Sequence, residues 1–454
     1  MVKKSSSHQR GAVPGASGRQ TAMAPIRRLS VLLPEMTWNR PGHFDETLGR
    51  SCVLIRGGIF QTMIQNILHR IAPVLSLMFL LALLFSCGEG NSGSSDPSLR
   101  PASQIAFETN KGTNGEIYVT SAGGGNAANL TNNLKNDIDA AWDPNGGQIA
   151  FSSNRLLGDE VAPYYRVYVM TADGSAATRI SENERIGFDN FDDYAPVWSP
   201  GGLRFAFLSN RKPVLNTDPQ EFVVGDGHLW VMDADGTNQS EIEWPNSHRL
   251  GTDFDPAWSP DSTRIAFQSL RIRDRNNEIY LWDVDAAPPT NPTNLSNDPA
   301  SDAAPAWSPN GTQIAFESDR SGDWEIYIMN ADGTNLTNFT TNPGADDRSA
   351  AWSPDGTRIT YESIGLTNAQ DPPKSEIYVK ETNGGPPYTA PEKNLTNNPA
   401  SDKAPAWSPD GSQITFESFR DGVWQIYIMN ADGSSPTNIT NNPAQDAYAP
   451  AWRP

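Results

Sequence analysis

Cysteine is almost missing from this chain: 454 residues contain two, Cys52 and Cys87. Two thiols cannot form a disulfide framework, so whatever folds here must be held by an apolar core. Histidine is nearly as scarce, five residues in all, which limits the supply of metal ligands and general bases. A basic excess is absent too, since the net charge is −19 and the segment up to Cys87 alone leans positive, with ten Lys or Arg against three Asp or Glu. The acidic remainder repels phosphate backbones, and no basic stripe offsets it, so nucleic acid is excluded as a partner. The longest apolar run, Ile71 to Phe85, has 15 residues and falls short of a comfortable bilayer span. What is abundant is glycine and proline, 37 and 36 residues, with aromatics throughout. That composition predicts a folded, turn-rich protein.

The apolar run IAPVLSLMFLLALLF follows His69-Arg70 and precedes Ser86-Cys87, the pattern of a secretory signal core. Leu84-Phe85-Ser86-Cys87 resembles the bacterial lipobox, in which the cysteine is lipidated on its thiol and becomes the amino terminus. The predicted order is an unstructured extension or mis-assigned start over 1–62, a lipoprotein-type signal peptide over 63–87 beginning at Met63, and a flexible linker over 88–103. Gly88 to Ser95 has the small polar composition of such a tether. Lipidated Cys87 would be the chain's sole membrane contact, on the periplasmic side with the outer membrane favoured.

From residue 104 onward one pattern returns seven times. Its marks are a tryptophan (Trp142, Trp198, Trp258, Trp307, Trp352, Trp407, Trp452), an apolar triplet such as Ile314-Ala315-Phe316, a second triplet such as Ile326-Tyr327-Ile328, and a weaker Asn-Leu-Thr segment. Pro-Asp-Gly and Ala-Asp-Gly separate these runs, and their residues tolerate the positive φ of hairpin turns. Each run is therefore a strand. Four antiparallel strands per unit, without helical periodicity between them, predict an all-β, seven-bladed propeller over 104–454. Because the region opens on a second strand and closes on a lone first strand, Ala449 to Trp452, the carboxy-terminal strand is expected to complete the first blade.

The phrases PAWSPDG, QIAF and EIYIMNADG resemble the WD-like repeat of the TolB family and of the propeller domains attached to prolyl oligopeptidase-type enzymes. The TolB resemblance implies a cell-envelope scaffold that binds a protein or peptide, here expected as a monomer. No Gly-x-Ser-x-Gly elbow is present, so the chain is not expected to be an enzyme of the oligopeptidase class. The alternatives from other classes are a propeller enzyme, meaning a metal-dependent polysaccharide lyase or hydrolase, and a sensor of a small ligand or cation.

Candidate site residues follow from the repeat. An aspartate stands five residues before six of the tryptophans, at Asp137, Asp193, Asp253, Asp302, Asp347 and Asp402, with Asp446 one residue further out in the last copy. Together they could ring the channel mouth and hold a divalent cation or a basic peptide; alternatively each caps its own loop. Repetition in every blade favours the second reading. No catalytic or metal residue is assigned, and no cofactor beyond that cation. His228 and His248 are isolated, and Asp189 to Tyr194 reads either as a peptide-binding lip or as a loop with two core anchors. Variable loops such as Leu156 to Tyr165 and Lys212 to Gly227 share one rim, where function tends to sit.

Overall fold

The computed structural model describes residues 103–454 apart from 112–113, 157–162, 182–190, 212–226, 243, 245–250, 272–275, 287–290, 366–373, 384 and 443–444, and the side chains of 110–111. The expected signal segment, its Cys87 and the linker up to 102 lie outside the described residues, as does His248.

Strand formation follows the predicted runs. In the fifth blade Asp302–Trp307, Gln313–Ser318, Glu325–Asn330 and Thr337–Asn338 pair antiparallel in sequence order. Seven such four-stranded sheets are present: 137–179 forms the second blade, 193–241 the third, 251–294 the fourth, 302–338 the fifth, 345–394 the sixth and 402–438 the seventh. The first blade joins Gln104–Lys111, Asn114–Ser121 and Ala128–Asn129 to Ala447–Trp452. Its closing ladder runs through Ile105–Trp452, Ala106–Ala451 and Thr109–Ala447. The ring thus closes through that strand.

Both middle strands are apolar on two faces because each sheet is sandwiched between neighbours. Ile314, Ala315 and Phe316 are all fully buried, and burying each large side chain is worth about 1.5–3 kcal/mol. The repeated tryptophans bolt one blade to the one before it. Trp142 Nε1 donates to the Ala451 carbonyl at 3.1 Å, and Trp307, Trp352, Trp407 and Trp452 do the same to Ala257, Ala306, Ala351 and Ala406, each at 3.1 Å. Trp258 reaches the Val197 carbonyl at 3.2 Å. Trp198 lacks this bond and instead lies against Phe205, with 3.9 Å between ring centroids.

The two rims differ. On one, the links from first to second strand are five residues long in all six continuous blades, 143–147 through 408–412. The third-to-fourth-strand turn on that rim wedges a glycine against the preceding blade: Gly174, at φ +82°, would set a Cβ 2.8 Å from the Leu130 carbonyl oxygen, so no larger residue fits. On the opposite rim the second-to-third-strand links run from two residues (112–113) to eighteen (210–227).

Candidate functional site

In six blades the inner-strand aspartate five residues before the tryptophan pairs with a serine of the second strand, as Asp302 does with Ser318 and Asp402 with Ser418. Two residues beyond that serine, on the same sheet face, five blades place an arginine. Arg155, Arg211, Arg271, Arg320 and Arg420 bond Asp137, Asp193, Asp253, Asp302 and Asp402 in turn. Each guanidinium also lies near aromatic rings; Arg320 Cζ is 5.5 Å from the Phe316 centroid and 4.9 Å from that of Tyr327. All six aspartates are 0% exposed, so they present no ring of carboxylates at the channel mouth. Asp446 occupies a different position: Ala447 stands at the equivalent point five residues before Trp452, while Asp446 Oδ1 accepts from the Trp424 amide at 2.8 Å.

The sixth blade keeps the aspartate and loses its cation. Gly365 replaces the arginine, and neither oxygen of buried Asp347 has a hydrogen-bond partner. Burial, with repulsion from Glu325 and Glu392 and only partial relief from the Ser363 and Thr340 hydroxyls, pushes its carboxyl up to about 8. The hydroxyl of fully buried Tyr361, where the six other blades have phenylalanine, is likewise unpartnered.

Nearer the axis every inner strand carries a bulge. The residue three before each tryptophan has positive φ: Asp139, Ala195, Asp255, Ala304, Ser349, Ala404 and Ala449. The left-handed turn costs an L-residue roughly 1–2 kcal/mol and breaks the ladder, releasing an amide that a neighbour then engages. Ser349 N donates to Glu317 Oε1 at 2.7 Å, Ala449 N to Glu417 Oε1 at 2.8 Å and Asp139 N to Glu108 Oε1 at 2.5 Å. These glutamates follow the aromatic residue of the second strand, and sequence reasoning missed them because the bulge that receives them has no residue signature. Burial first, and then the nearby Asp139 charge, pushes Glu108 up to about 7. Glu317, Glu362 and Asp255 are also raised, each chiefly by desolvation. Asp255 is exposed by area, yet protein walls surround its carboxyl, and those walls raise it.

At the variable-loop end two clusters join aromatics to cations. In the first, Arg348 Cζ lies 4.2 Å from the Trp324 ring and its Nη1 is 3.5 Å from Glu317 Oε2. The second is larger: Lys403 Nζ sits 4.2 Å from the Trp424 ring and 5.6 Å from that of Tyr448, and bonds Glu417 at 3.2 Å. Phe419, 43% exposed, packs on Trp424 at 5.4 Å. Trp324 and Trp424 were legible in principle, since tryptophan precedes the third strand in only two repeats.

His228 Nδ1 is 3.8 Å from Glu241 and 3.9 Å from Asp253. Phe191 is a buried anchor between the Arg166 and Arg211 guanidiniums, at 4.0 and 4.8 Å, and Asp192 Oδ1 accepts from the Tyr165 amide at 2.8 Å. Among the described residues no group of three or more His, Cys, Asp or Glu is arranged to hold a metal ion.

The family model for the TolB beta propeller domain matches residues 213–388. An uncharacterized peptidase of Bacillus subtilis, YuxL, is 37% identical over 79 residues, 17% of this chain and 11% of the peptidase. A TolB homolog of Chlorobium luteolum is 25% identical over 182 residues, 40% of this chain and 34% of its own. The matches thus span about a tenth and a third of those relatives. The oligogalacturonate lyase of Vibrio parahaemolyticus superposes with a TM-score of 0.50 at 15% identity, covering 74% of this chain and 84% of the lyase; at that identity the likeness is one of fold. Seven four-stranded sheets, closed on themselves, make the chain a seven-bladed β-propeller whose repeat is similar to the TolB beta propeller domain.

Proposed function

We propose that this chain is a cell-envelope scaffold that offers the variable-loop rim of its propeller to a protein or peptide partner. The observation that carries this reading is the cluster of Phe419, Trp424, Lys403 and Tyr448. Half-exposed aromatics held rigid by a stacked cation are the residue types that dominate binding energy at protein interfaces, and they stand on the rim of the variable second-to-third-strand links, whereas the first-to-second-strand links of the opposite rim are constant in length. The lipobox-like Leu84 to Cys87 supports tethering outside the cytoplasm, with the propeller on the periplasmic side.

Affinity capture from detergent-solubilised envelope fractions tests the proposal. The full-length chain should retain a stoichiometric partner, and Phe419→Ala with Trp424→Ala should weaken that capture at least tenfold while leaving the melting temperature within a few degrees. Equal capture by both proteins would remove the cluster from the interface. Failure of radiolabelled palmitate to enter the chain through Cys87 would remove the tether.

A further inference from the structure

The first blade is the other place where the aspartate–arginine pair is lost, and there the loss leaves a cavity. Ala447 replaces the aspartate and Lys111 stands at the arginine position. The void has a volume of about 400 Å³, within the range of small-molecule sites and many times the share of one water. Its apolar wall is the Phe107–Tyr118 pair, stacked at 5.7 Å and 28°, the counterpart of the rings that carry a guanidinium in the fifth blade. Asn126, Asn441 and Gln445 also line it, amides that both donate and accept. Gln445 Oε1 accepts from Asn442 Nδ2 at 3.1 Å, which leaves its NH2 group for a guest. Thr109 Oγ1 also lines the void; the residue is 5% exposed and this oxygen has no hydrogen-bond partner. A buried hydroxyl without a partner is destabilising, and a ligand hydroxyl would supply the missing bond. Among the described residues that line it there is no carboxylate, lysine or arginine.

We infer that this cavity, between the seventh and first blades, is a binding site for a neutral pyranose ring. A flat face of C–H groups suits the aromatic wall, and equatorial hydroxyls suit alternating amide and hydroxyl partners, whereas among the described lining residues neither a cation nor an anion meets a compensating charge. Gly125, at φ +126° with no atom within 4 Å of a built Cβ, keeps the approach open where most repeats have serine or threonine.

The experiment is saturation-transfer NMR and calorimetry on the full-length chain in detergent, with the methyl glycosides of glucose, galactose, mannose and N-acetylglucosamine as probes, and glucuronate and guanidinium as charged controls. At least one neutral glycoside should bind with a 1:1 stoichiometry. Ala447→Asp with Lys111→Arg, which installs the pair found in five other blades, should lower affinity at least tenfold without lowering the melting temperature. Thr109→Val, which removes only the buried hydroxyl, should lower it several-fold. The inference is overturned if none of the four glycosides binds, if a charged control binds in their place, or if both variants bind as the parent does.

Discussion

Replacing Gly365 by arginine and Tyr361 by phenylalanine would give the sixth blade the same Asp, Arg and Phe set that five others possess, and the consequence should be visible in how stability depends on pH. In the parent, the Asp347 carboxyl sits at about 8 in the folded state, raised first by burial and then by Glu325 and Glu392. The unfolded chain releases that proton near 3.9. Between those values the folded state holds a proton that the unfolded state does not, so stability is greatest below about 4 and falls as pH rises through 8. Over pH 5 to 8 the loss attributable to this group is about 4 kcal/mol at 1.36 kcal/mol per pH unit, an upper bound because Glu325 shares the titration. A side chain at position 365 would meet no atom within 4 Å at its Cβ, so the arginine has room to start toward Asp347. The variant should therefore lose most of the pH 5 to 8 slope and gain stability at pH 8. Urea unfolding at pH 5 and pH 8, parent against variant, measures the double difference. A slope that stays within 1 kcal/mol of the parent's would refute a buried, cation-starved Asp347.

Three further outcomes follow from the same geometry. Arg320→Leu should cost about 3–5 kcal/mol by stranding Asp302, and adding Asp302→Asn should recover most of it, as equilibrium unfolding of single and double variants would show. Glu108, held up at about 7, makes stability drain between pH 4.5 and 7; Glu108→Gln keeps an acceptor for the Asp139 amide and should flatten that step by ~3 kcal/mol in pH-dependent denaturation. Deleting residues 447–454 removes the strand paired with 104–111 and should lower the melting temperature by well over 10 °C; an unchanged calorimetric transition would contradict closure at this seam.

The fold was legible because its determinants are local and repeated. Trp307, the 314–316 triplet and the Asn310-Gly311 turn each name a strand or a bend by composition, and seven copies average out accidents. The binding surface was far less legible. The aspartates five residues before tryptophan looked like a shared site, but their role depends on an arginine eighteen residues later that the sheet brings onto the same face, a relation that spacing alone does not reveal. The loss of that arginine at Gly365 and of the aspartate at Ala447 is written in the sequence, yet its meaning appears only once the paired partner is known. The glutamates at 108, 317 and 417 are more obscure still, since they act on amides released by bulges in the next blade. The cluster at Phe419 and Trp424 draws Lys403 from a different strand and Tyr448 from a different blade, so no window of sequence contains it.

The seam between the first and seventh blades also fixes when this molecule can become whole. Gln104 meets Arg453 across 349 residues of chain, and closing that span rather than one blade's length adds about 1.7 kcal/mol of loop entropy. Blades two to seven can each assemble from their own contiguous segment as it emerges, but the first must wait with an unpaired strand edge until residue 452 has left the ribosome. An exposed edge held open that long is a site for mispairing with other chains. The cavity beside Ala447 forms only at that last step, so occupancy of the site would report a finished ring.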